Sequence, residues 1–505
     1  MFGELASNVA LGLDVAVTPM NLFYCLLGVF LGQLLGALPG IGTLVAVTLL
    51  FPLTYHLDPI PSLIMLAGIY YGCAYGGSTA SILLNIPGTP SNAVACLDGY
   101  PMAKQGRAGI ALSMTTVGSF VGGSVGILLI MAFSPIIAEN ALRFGPWEYV
   151  ALILMGLITA SSVGSESPLQ GIAMVVAGII LGLVGMDVNS GVPRFTFRSL
   201  QLQDGLSLVA IAIGLFGVAE VIYTVRKAST EIPERFPVTY RSMIPTREDV
   251  RRSWAPILRG SGIGSFFGAL PGTGGFIASF IAYAVEFKTS RHPEEFGKGA
   301  IEGLVSPETA NNAADQTNFI PTLTLGIPGS ATMAIMLSIL MMNGITPGPT
   351  IMTEQPQLFW GLIMSFWIGN LMLVILNIPM IGLWIKLLGI PYRLLYPGVL
   401  AFVCMGIYSI DKNVFHIWIV VAAGGISYLL RVFGLPAAPL ILGFVLGPML
   451  EEYLRRALIV AKGDFTMFLQ RPLSLILLLV TLAILVSSMV STIRKTRTKD
   501  AEASG

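Results

Sequence analysis

Two short helix-breaking motifs occur twice in this chain, each time within apolar sequence. Gly36-Ala37-Leu38-Pro39-Gly40 recurs 232 residues later as Gly268-Ala269-Leu270-Pro271-Gly272, and Ile86-Pro87-Gly88 recurs 241 residues later as Ile327-Pro328-Gly329. Proline removes a backbone donor and clashes with the preceding turn, so a helix cannot run undisturbed through these positions. Paired broken helices at matching places in two halves of a membrane chain are typical of a transporter's binding site. The duplication predicts two homologous repeats with discontinuous or re-entrant helices.

The amino-acid composition indicates that the duplicated chain is a membrane protein. Hydrophobic residues make up 54% of the 505 residues and charged residues only 11%, whereas soluble domains contain about 25% charged residues. Segments such as Leu358–Leu376 and Leu473–Val490 reach the length of about 20 apolar residues that crosses a bilayer. We count roughly ten to thirteen segments of that kind. The sequence predicts an all-α polytopic membrane protein, and its formal net charge of +1 offers no basic surface for nucleic acid.

Polar stretches divide the chain into four parts. Residues 1–225 form the first predicted membrane repeat, 226–253 a polar basic linker, 254–490 the second repeat and 491–505 a basic tail. The positive-inside rule predicts that the linker is cytoplasmic. Lys104 and Arg107 follow the first Ile-Pro-Gly motif, whereas residues 343–357 after the second contain no Lys or Arg, which favours inverted repeats. The basic tail also has a cytoplasmic composition, which argues against the inversion.

The first Ile-Pro-Gly motif lies among hydroxyl and amide side chains. A broken helix exposes carbonyl groups from one half-helix and amide groups from the other, and the amide end suits an anion. Such a break is tolerated at membrane depth only inside protein or beside a watery cavity. Ordinary helix kinks are the alternative, but two copies that are both followed by hydroxyls favour a site. The predicted substrate-binding residues of this copy are Ser78, Thr79, Asn85, Pro87, Gly88, Thr89 and Ser91.

The second Ile-Pro-Gly motif follows a polar stretch, Glu308–Asp315. On one interpretation this stretch lines a cavity, and on the other it is an interfacial loop that solvates a helix end. The predicted substrate-binding residues of this copy are Asn311, Asn312, Gly329, Ser330 and Thr332.

The two Gly-Ala-Leu-Pro-Gly motifs allow tight backbone breaks with a threonine nearby. They form either a second part of the site or simple turns between spans. On the first interpretation, the predicted ion-binding residues are Gly40, Thr43, Gly272 and Thr273, together with Asn85 of the first Ile-Pro-Gly segment.

No residue pattern indicates catalysis or a cofactor. The sequence contains neither a Gly-x-x-x-x-Gly-Lys-Ser/Thr phosphate loop nor a His-Glu-x-x-His zinc motif. Its four cysteines have no paired spacing. Glu166, Asp187 and Glu220 are candidate membrane acids, although placement at the membrane interface would also explain them. We expect a protein that is not an enzyme and that holds neither a cofactor nor a structural metal.

The motifs resemble those of the large membrane subunit of bacterial tripartite tricarboxylate transporters. The resemblance covers nearly the whole chain and rests on both Gly-Ala-Leu-Pro-Gly motifs and on Tyr75-Gly76-Gly77-Ser78-Thr79, Asn85-Ile86-Pro87-Gly88-Thr89-Pro90-Ser91, Asp98-Gly99-Tyr100-Pro101-Met102-Ala103, Ala310-Asn311-Asn312-Ala313 and Leu325-Gly326-Ile327-Pro328-Gly329-Ser330.

The resemblance implies a secondary transporter of the bacterial inner membrane that imports a tri- or dicarboxylate such as citrate. It also implies a small membrane subunit, a periplasmic binding protein that delivers the substrate, and coupling to a gradient of Na⁺ or H⁺. Two alternatives stay open from the sequence. One is a permease or channel that needs no binding protein, and the other is a membrane scaffold without transport activity.

Overall fold

The computed structural model describes residues 2–38, 41–141, 143–162, 167–187, 190–222, 236–387, 397, 400–401, 403–408 and 412–503. These residues are almost entirely helical, and their only strands form a short antiparallel hairpin of β1 (Gly185–Met186) and β2 (Pro193–Arg194). The helices are α1 (Phe2–Ala16), α2 (Pro19–Ala37), α3 (Thr43–Thr54), α4 (Pro59–Leu84), α5 (Ala93–Met102), α6 (Ala108–Ala141), α7 (Pro146–Ser162), α8 (Pro168–Gly182), α9 (Leu208–Ala212), α10 (Arg247–Gly268), α11 (Gly274–Thr289), α12 (Ile301–Thr317), α13 (Phe319–Thr324), α14 (Ala331–Met342), α15 (Ile351–Glu354), α16 (Pro356–Asn377), α17 (Ile381–Leu387), α18 (Val414–Val432), α19 (Ala437–Val460), α20 (Met467–Gln470) and α21 (Pro472–Ala503).

Among the described residues, six helical segments are long and apolar enough to cross a bilayer. Four shorter apolar helices accompany them, including α3 and α14 on either side of the predicted sites. The predicted all-α polytopic membrane fold is confirmed, whereas the number of spans and the division into repeats stay predictions. The six segments are Pro19–Ala37, Pro90–Ala141, Pro356–Asn377, Val414–Val432, Ala437–Val460 and Pro472–Val490.

Glycines spaced four apart bring two pairs of helices into backbone contact. A Cβ on Gly28, Gly32 or Gly36 of α2 would lie within 3.0 Å of a backbone carbonyl oxygen of α4. Small residues at this spacing let helices approach closely where a bilayer provides no hydrophobic drive for association. In chain order, the carbonyls that these glycines contact belong to Met65, Ile69 and Cys73.

The same contact pattern occurs between α10 and α12. Gly260, Gly264 and Gly268 lie against the backbone carbonyls of Ser306, Ala310 and Ala314, again too close to admit a Cβ. These glycines come 232 residues after those of α2, and their partners come 241 residues after those of α4. The shifts are those that separate the two copies of each motif.

The predicted polar linker lies only partly within the described residues, because 226–235 fall outside them. α10 begins at Arg247, where Thr246 and Asp249 form a capping box, so this helix starts before the predicted boundary at residue 254. The predicted basic tail continues α21 as far as Ala503. The four-part division therefore stays a prediction.

Candidate functional site

The first Ile-Pro-Gly motif breaks the chain between α4 and α5. α4 ends at Leu84, because the next residue, Asn85, has a left-handed backbone (φ 56°), and the chain turns again at Pro90–Asn92 before α5 begins. Asn85 and Pro87 are exposed, whereas Gly88 and Thr89 are buried. The break therefore presents one buried face to the rest of the protein.

The second Ile-Pro-Gly motif breaks the chain between α13 and α14. Gly326 has a left-handed backbone (φ 69°), and the amide of Gly329 donates to the Thr322 hydroxyl at 3.3 Å. Ser330 caps α14 by accepting a hydrogen bond from the Met333 amide at 3.3 Å. Thr332, in the first turn of α14, is buried.

The two breaks have equivalent neighbours. A Cβ on Gly88 would lie within 3.0 Å of the Gly77 Cα, and a Cβ on Gly329 would lie 2.5 Å from the Asn318 Oδ1. Asn318 follows Gly77 by the same 241 residues that separate the two motifs. In both halves, therefore, a glycine lets the broken segment lie directly on the helix before it.

The Gly-Ala-Leu-Pro-Gly turns lie beside these breaks. A Cβ on Gly42 would be 3.9 Å from the Gly88 carbonyl oxygen, and a Cβ on Gly274 would be 3.4 Å from the Ser330 Cβ. The turn and the break of each half thus adjoin, as expected if both belong to one site.

The predicted ion-binding residues have different surroundings. Gly40 lies outside the described residues. Gly272 has a left-handed backbone (φ 80°) and packs against Gly156 of α7. The Thr273 hydroxyl is occupied within its own turn, where it donates to the Leu270 carbonyl at 2.9 Å. Thr43 begins α3 and is half-buried.

The polar stretch before the second break is a buried helix. Every residue of α12 is buried, although this helix contains acidic and amide side chains throughout. The interpretation of Glu308–Asp315 as an interfacial loop is therefore wrong. A polar helix is tolerated in this position only if its side chains find partners within the protein.

Glu308 joins the two halves through one cluster of hydrogen bonds. Its carboxylate accepts from the Ser78 hydroxyl and from the Asn92 amide, with distances of 3.0 and 3.2 Å from the Asn92 Nδ2 to the two carboxylate oxygens. Thr89 donates to the Asn92 Oδ1 and also contacts the Ser91 hydroxyl at 2.9 Å. The structure thus brings the predicted Ser78, Thr89 and Ser91 together around Glu308.

Asp315 lies two turns further along α12 in a second cluster. The Tyr70 hydroxyl donates to its Oδ1 at 2.7 Å, and the Asn318 Nδ2 lies 3.4 Å from the same hydroxyl. Both amide atoms of Asn311 and the Oδ1 of Asn318 are buried without a hydrogen-bond partner. No described Lys, Arg or His forms an ion pair with Glu308 or Asp315.

A polar cleft that is too narrow to admit a water molecule in this conformation lies next to Glu308, between α4, α6 and α16. Asn312 reaches its edge by donating to the Ser119 hydroxyl at 2.8 Å. The predicted Ser78 and Thr79 both line it, so these two residues and Asn312 belong to one neighbourhood. The polar lining residues are Tyr75, Ser78, Thr79, Thr115, Thr116, Ser119 and Asn377.

The acids selected from the sequence do not lie in these clusters. Glu220 pairs with Arg431, and Asp187 pairs with Arg194 and Arg455. Glu166 lies outside the described residues. The prediction did not select Glu308, Asp315, Asn92, Tyr70 or Asn318. The available indication was that Glu308 and Asp315 are seven residues apart, which places them on one helical face.

Comparison with known proteins agrees with this architecture. The chain matches the tripartite tricarboxylate transporter TctA family over residues 22–442. It is 48% identical over 496 residues to an uncharacterized 52.8 kDa protein in the TAR-I ttuC' 3'region of Agrobacterium vitis, covering 98% of both chains. It is also 52% identical over 234 residues to an uncharacterized protein in the TAR-II ttuC' 3'region of the same organism, covering 46% of this chain and 97% of the relative. No solved structure matches.

The family match spans both Ile-Pro-Gly breaks, both Gly-Ala-Leu-Pro-Gly turns and the whole of α12. The described helices make the chain a multi-pass membrane protein of the kind that this family requires. The chain belongs to the tripartite tricarboxylate transporter TctA family.

Proposed function

We propose that this protein is the membrane permease of an ion-gradient-driven system that imports a tri- or dicarboxylate similar to citrate. Family membership implies a tripartite system with a small membrane subunit and a periplasmic binding protein. In the proposed system the binding protein delivers the carboxylate, and the permease lies in the bacterial inner membrane with its small partner.

One observation carries the proposal: buried polar side chains from both halves meet beside the first break. Ser78 and Asn92 come from the first half and Glu308 from the second. The adjoining cleft is lined mainly by hydroxyls, which are neutral donors suited to a carboxylate. We assign substrate binding to this neighbourhood, with Thr79, Thr89 and Asn312 among the contacts.

The charge of Glu308 supports coupling to a cation gradient. An anionic substrate in the cleft would lie next to a buried carboxylate that has no basic partner among the described residues. Two neighbouring negative charges repel each other strongly where water is excluded. A proton or a metal cation that enters with the substrate removes this repulsion, and its gradient then supplies the driving force.

The proposal is tested by uptake into proteoliposomes that contain this chain and its small membrane partner. Labelled citrate, dicarboxylates and aromatic acids would be offered with and without the binding protein, under an imposed Na⁺ or H⁺ gradient. We expect uptake only when both the binding protein and one gradient are present. Uptake without the binding protein would instead support the independent permease. A correctly folded complex that transports none of these acids under either gradient would contradict the proposal.

We expect Glu308→Gln to reduce gradient-driven uptake by about ten- to a hundredfold. The Asn92 Nδ2 lies against both carboxylate oxygens, so the new amide nitrogen would face this donor in either orientation, and an unpaired buried donor costs about 1–3 kcal/mol. The variant also lacks the charge that a coupling ion would neutralise. Initial uptake rates at equal protein content provide the measurement.

Glu294→Gln is the matched control, because the Glu294 side chain is 67% exposed in the loop before α12. Its uptake should equal that of the wild type. Wild-type uptake by Glu308→Gln would remove Glu308 from the proposed site.

A further inference from the structure

The two buried carboxylates of α12 have opposite surroundings. Glu308 is surrounded by donors, since Ser78 and Asn92 both direct hydrogens at it. Asp315 receives one donor, the Tyr70 hydroxyl. Two nearby oxygens have no hydrogen-bond donor, namely the Oδ1 atoms of Asn311 and Asn318, and the Asn311 Nδ2 is the single unpaired donor of these two amides. A surplus of buried oxygen acceptors is the arrangement that a bound cation would complete.

Gly275 shows that two of these oxygens converge on one point. A Cβ on this residue, near the start of α11, would lie within 3.0 Å of the Asn311 Oδ1 and 3.2 Å from the Asp315 Oδ1. Because this residue has no side chain, the Asn311 and Asp315 oxygens both lie close to the same point of the α11 backbone. Gly275 follows the second Gly-Ala-Leu-Pro-Gly turn, so that turn borders the cluster even though the Thr273 hydroxyl is occupied elsewhere.

The third oxygen belongs to Asn318, which is linked to Asp315 through the Tyr70 hydroxyl. The Asn318 amide donates toward the Tyr70 hydroxyl, and the Tyr70 hydroxyl donates to Asp315. The donors in this series of hydrogen bonds are the Asn318 Nδ2 and the Tyr70 hydroxyl, and the Asn318 Oδ1 remains without a partner. Asn311, Asp315 and Asn318 are each at least nine-tenths buried.

We infer that Asp315, Asn311 and Asn318, with the Tyr70 hydroxyl, form a binding site for one monovalent metal cation, for which Na⁺ is the probe. A single carboxylate balances a single positive charge. The remaining ligands are neutral oxygens, whereas sites for divalent ions normally contain more carboxylates or retained waters. This assignment moves Asn311 from the predicted substrate contacts to the cation. It rests on the cation coupling proposed above and adds a metal site two turns of α12 from Glu308, distinct from any proton or cation that neutralises Glu308 itself.

The site is tested by cation-dependent stability of the purified full-length chain in detergent. A ligand that binds only the folded state raises the melting temperature in a saturable way. We expect NaCl to raise it above that of equimolar choline chloride, and Asp315→Asn to remove the rise. Asp464→Asn, a charge-removing change in an exposed loop, should behave like the wild type.

Two further variants keep the test decisive if Asp315→Asn does not fold. Asn311→Ala removes an oxygen that has no hydrogen bond to lose, and Gly275→Ala places a methyl group against the Asn311 and Asp315 oxygens. Each should increase the half-saturating Na⁺ concentration about tenfold or more. Asn140→Ala, at an exposed position near the end of α6, is the control for the amide.

Two outcomes overturn the inference. One is an unchanged Na⁺ effect in Asp315→Asn, Asn311→Ala and Gly275→Ala. The other is a wild-type protein that Na⁺ stabilises no more than choline. These experiments distinguish a failure of Na⁺ binding from a failure of transport. Na⁺ binding through Asp315 without uptake would contradict the proposed function and support the cation site. Gradient-driven uptake without Na⁺ binding would support the proposed function and contradict the cation site.

Discussion

Leucine in place of Gly88 or Gly329 is expected to abolish substrate uptake while the protein is still made and inserted. Gly88 lies on the Gly77 Cα and the Gly36 carbonyl oxygen, and both are backbone atoms that cannot turn aside. A leucine there would push the broken segment off α4 and separate Asn92 from Ser78 and Glu308. Overpacking of this kind lowers stability by about 1–3 kcal/mol or more, and the atoms that it displaces belong to the proposed site.

Alanine distinguishes the two positions. Gly88→Ala already clashes with backbone and should lose nearly all uptake. Gly329→Ala instead meets the Asn318 carboxamide, which is able to rotate, so this variant should retain part of the wild-type rate. The control is Gly425→Leu, because Gly425 of α18 is exposed and a Cβ on this residue would have no atom within 4 Å. Initial uptake rates and gel-filtration profiles of all these variants provide the measurement. Normal uptake by either leucine variant at Gly88 or Gly329 would contradict the assignment of the breaks to the site.

The second large effect is on stability and compares two glycines of one helix. Gly264→Ala places a methyl group within 3.0 Å of the Ala310 carbonyl oxygen, so α10 must move away from α12. We expect a loss of about 1–3 kcal/mol in stability. Gly262→Ala, two residues earlier, meets no atom within 4 Å and should gain up to about 1 kcal/mol, because alanine favours a helix over glycine.

Thermal unfolding of the purified variants measures both changes under one set of conditions. The expected result is opposite in sign for the two substitutions, which separates helix packing from any general effect of removing a glycine. Equal melting temperatures for Gly264→Ala and Gly262→Ala would show that α10 and α12 do not pack through Gly264.

The sequence predicts those parts of the fold that depend on nearby residues. Hydropathy identifies the membrane class, and proline and glycine locate both helix breaks because their backbone constraints act within a few positions. Ser330 also has a local explanation, since serine before an apolar run is a favourable helix cap, although it is predicted from the sequence only as a substrate contact.

Contacts between distant residues could not be predicted in the same way. Glu308 and Ser78 are 230 residues apart, and nothing in either local sequence indicates the other. Gly262 and Gly264 are also alike in the sequence, although only one faces a carbonyl oxygen of α12. The sequence left the burial of α12 open, as one of two interpretations, for a related reason. A polar segment predicts exposure unless its partners are known, and its partners lie in the other half of the chain.

The first half also holds the start of α12. Asp98, in the helix that follows the first break, accepts hydrogen bonds from the amides of Gly299 and Ala300, both at 2.9 Å. Together with the bonds at Glu308 and Asp315, this fastens α12 to the first half at three places along its length. α12 therefore connects the residues around the first break to the segment that leads into the second break. In the proposed transporter, a movement that exposes the site first to one side of the membrane and then to the other keeps these hydrogen bonds only if both breaks move together with α12.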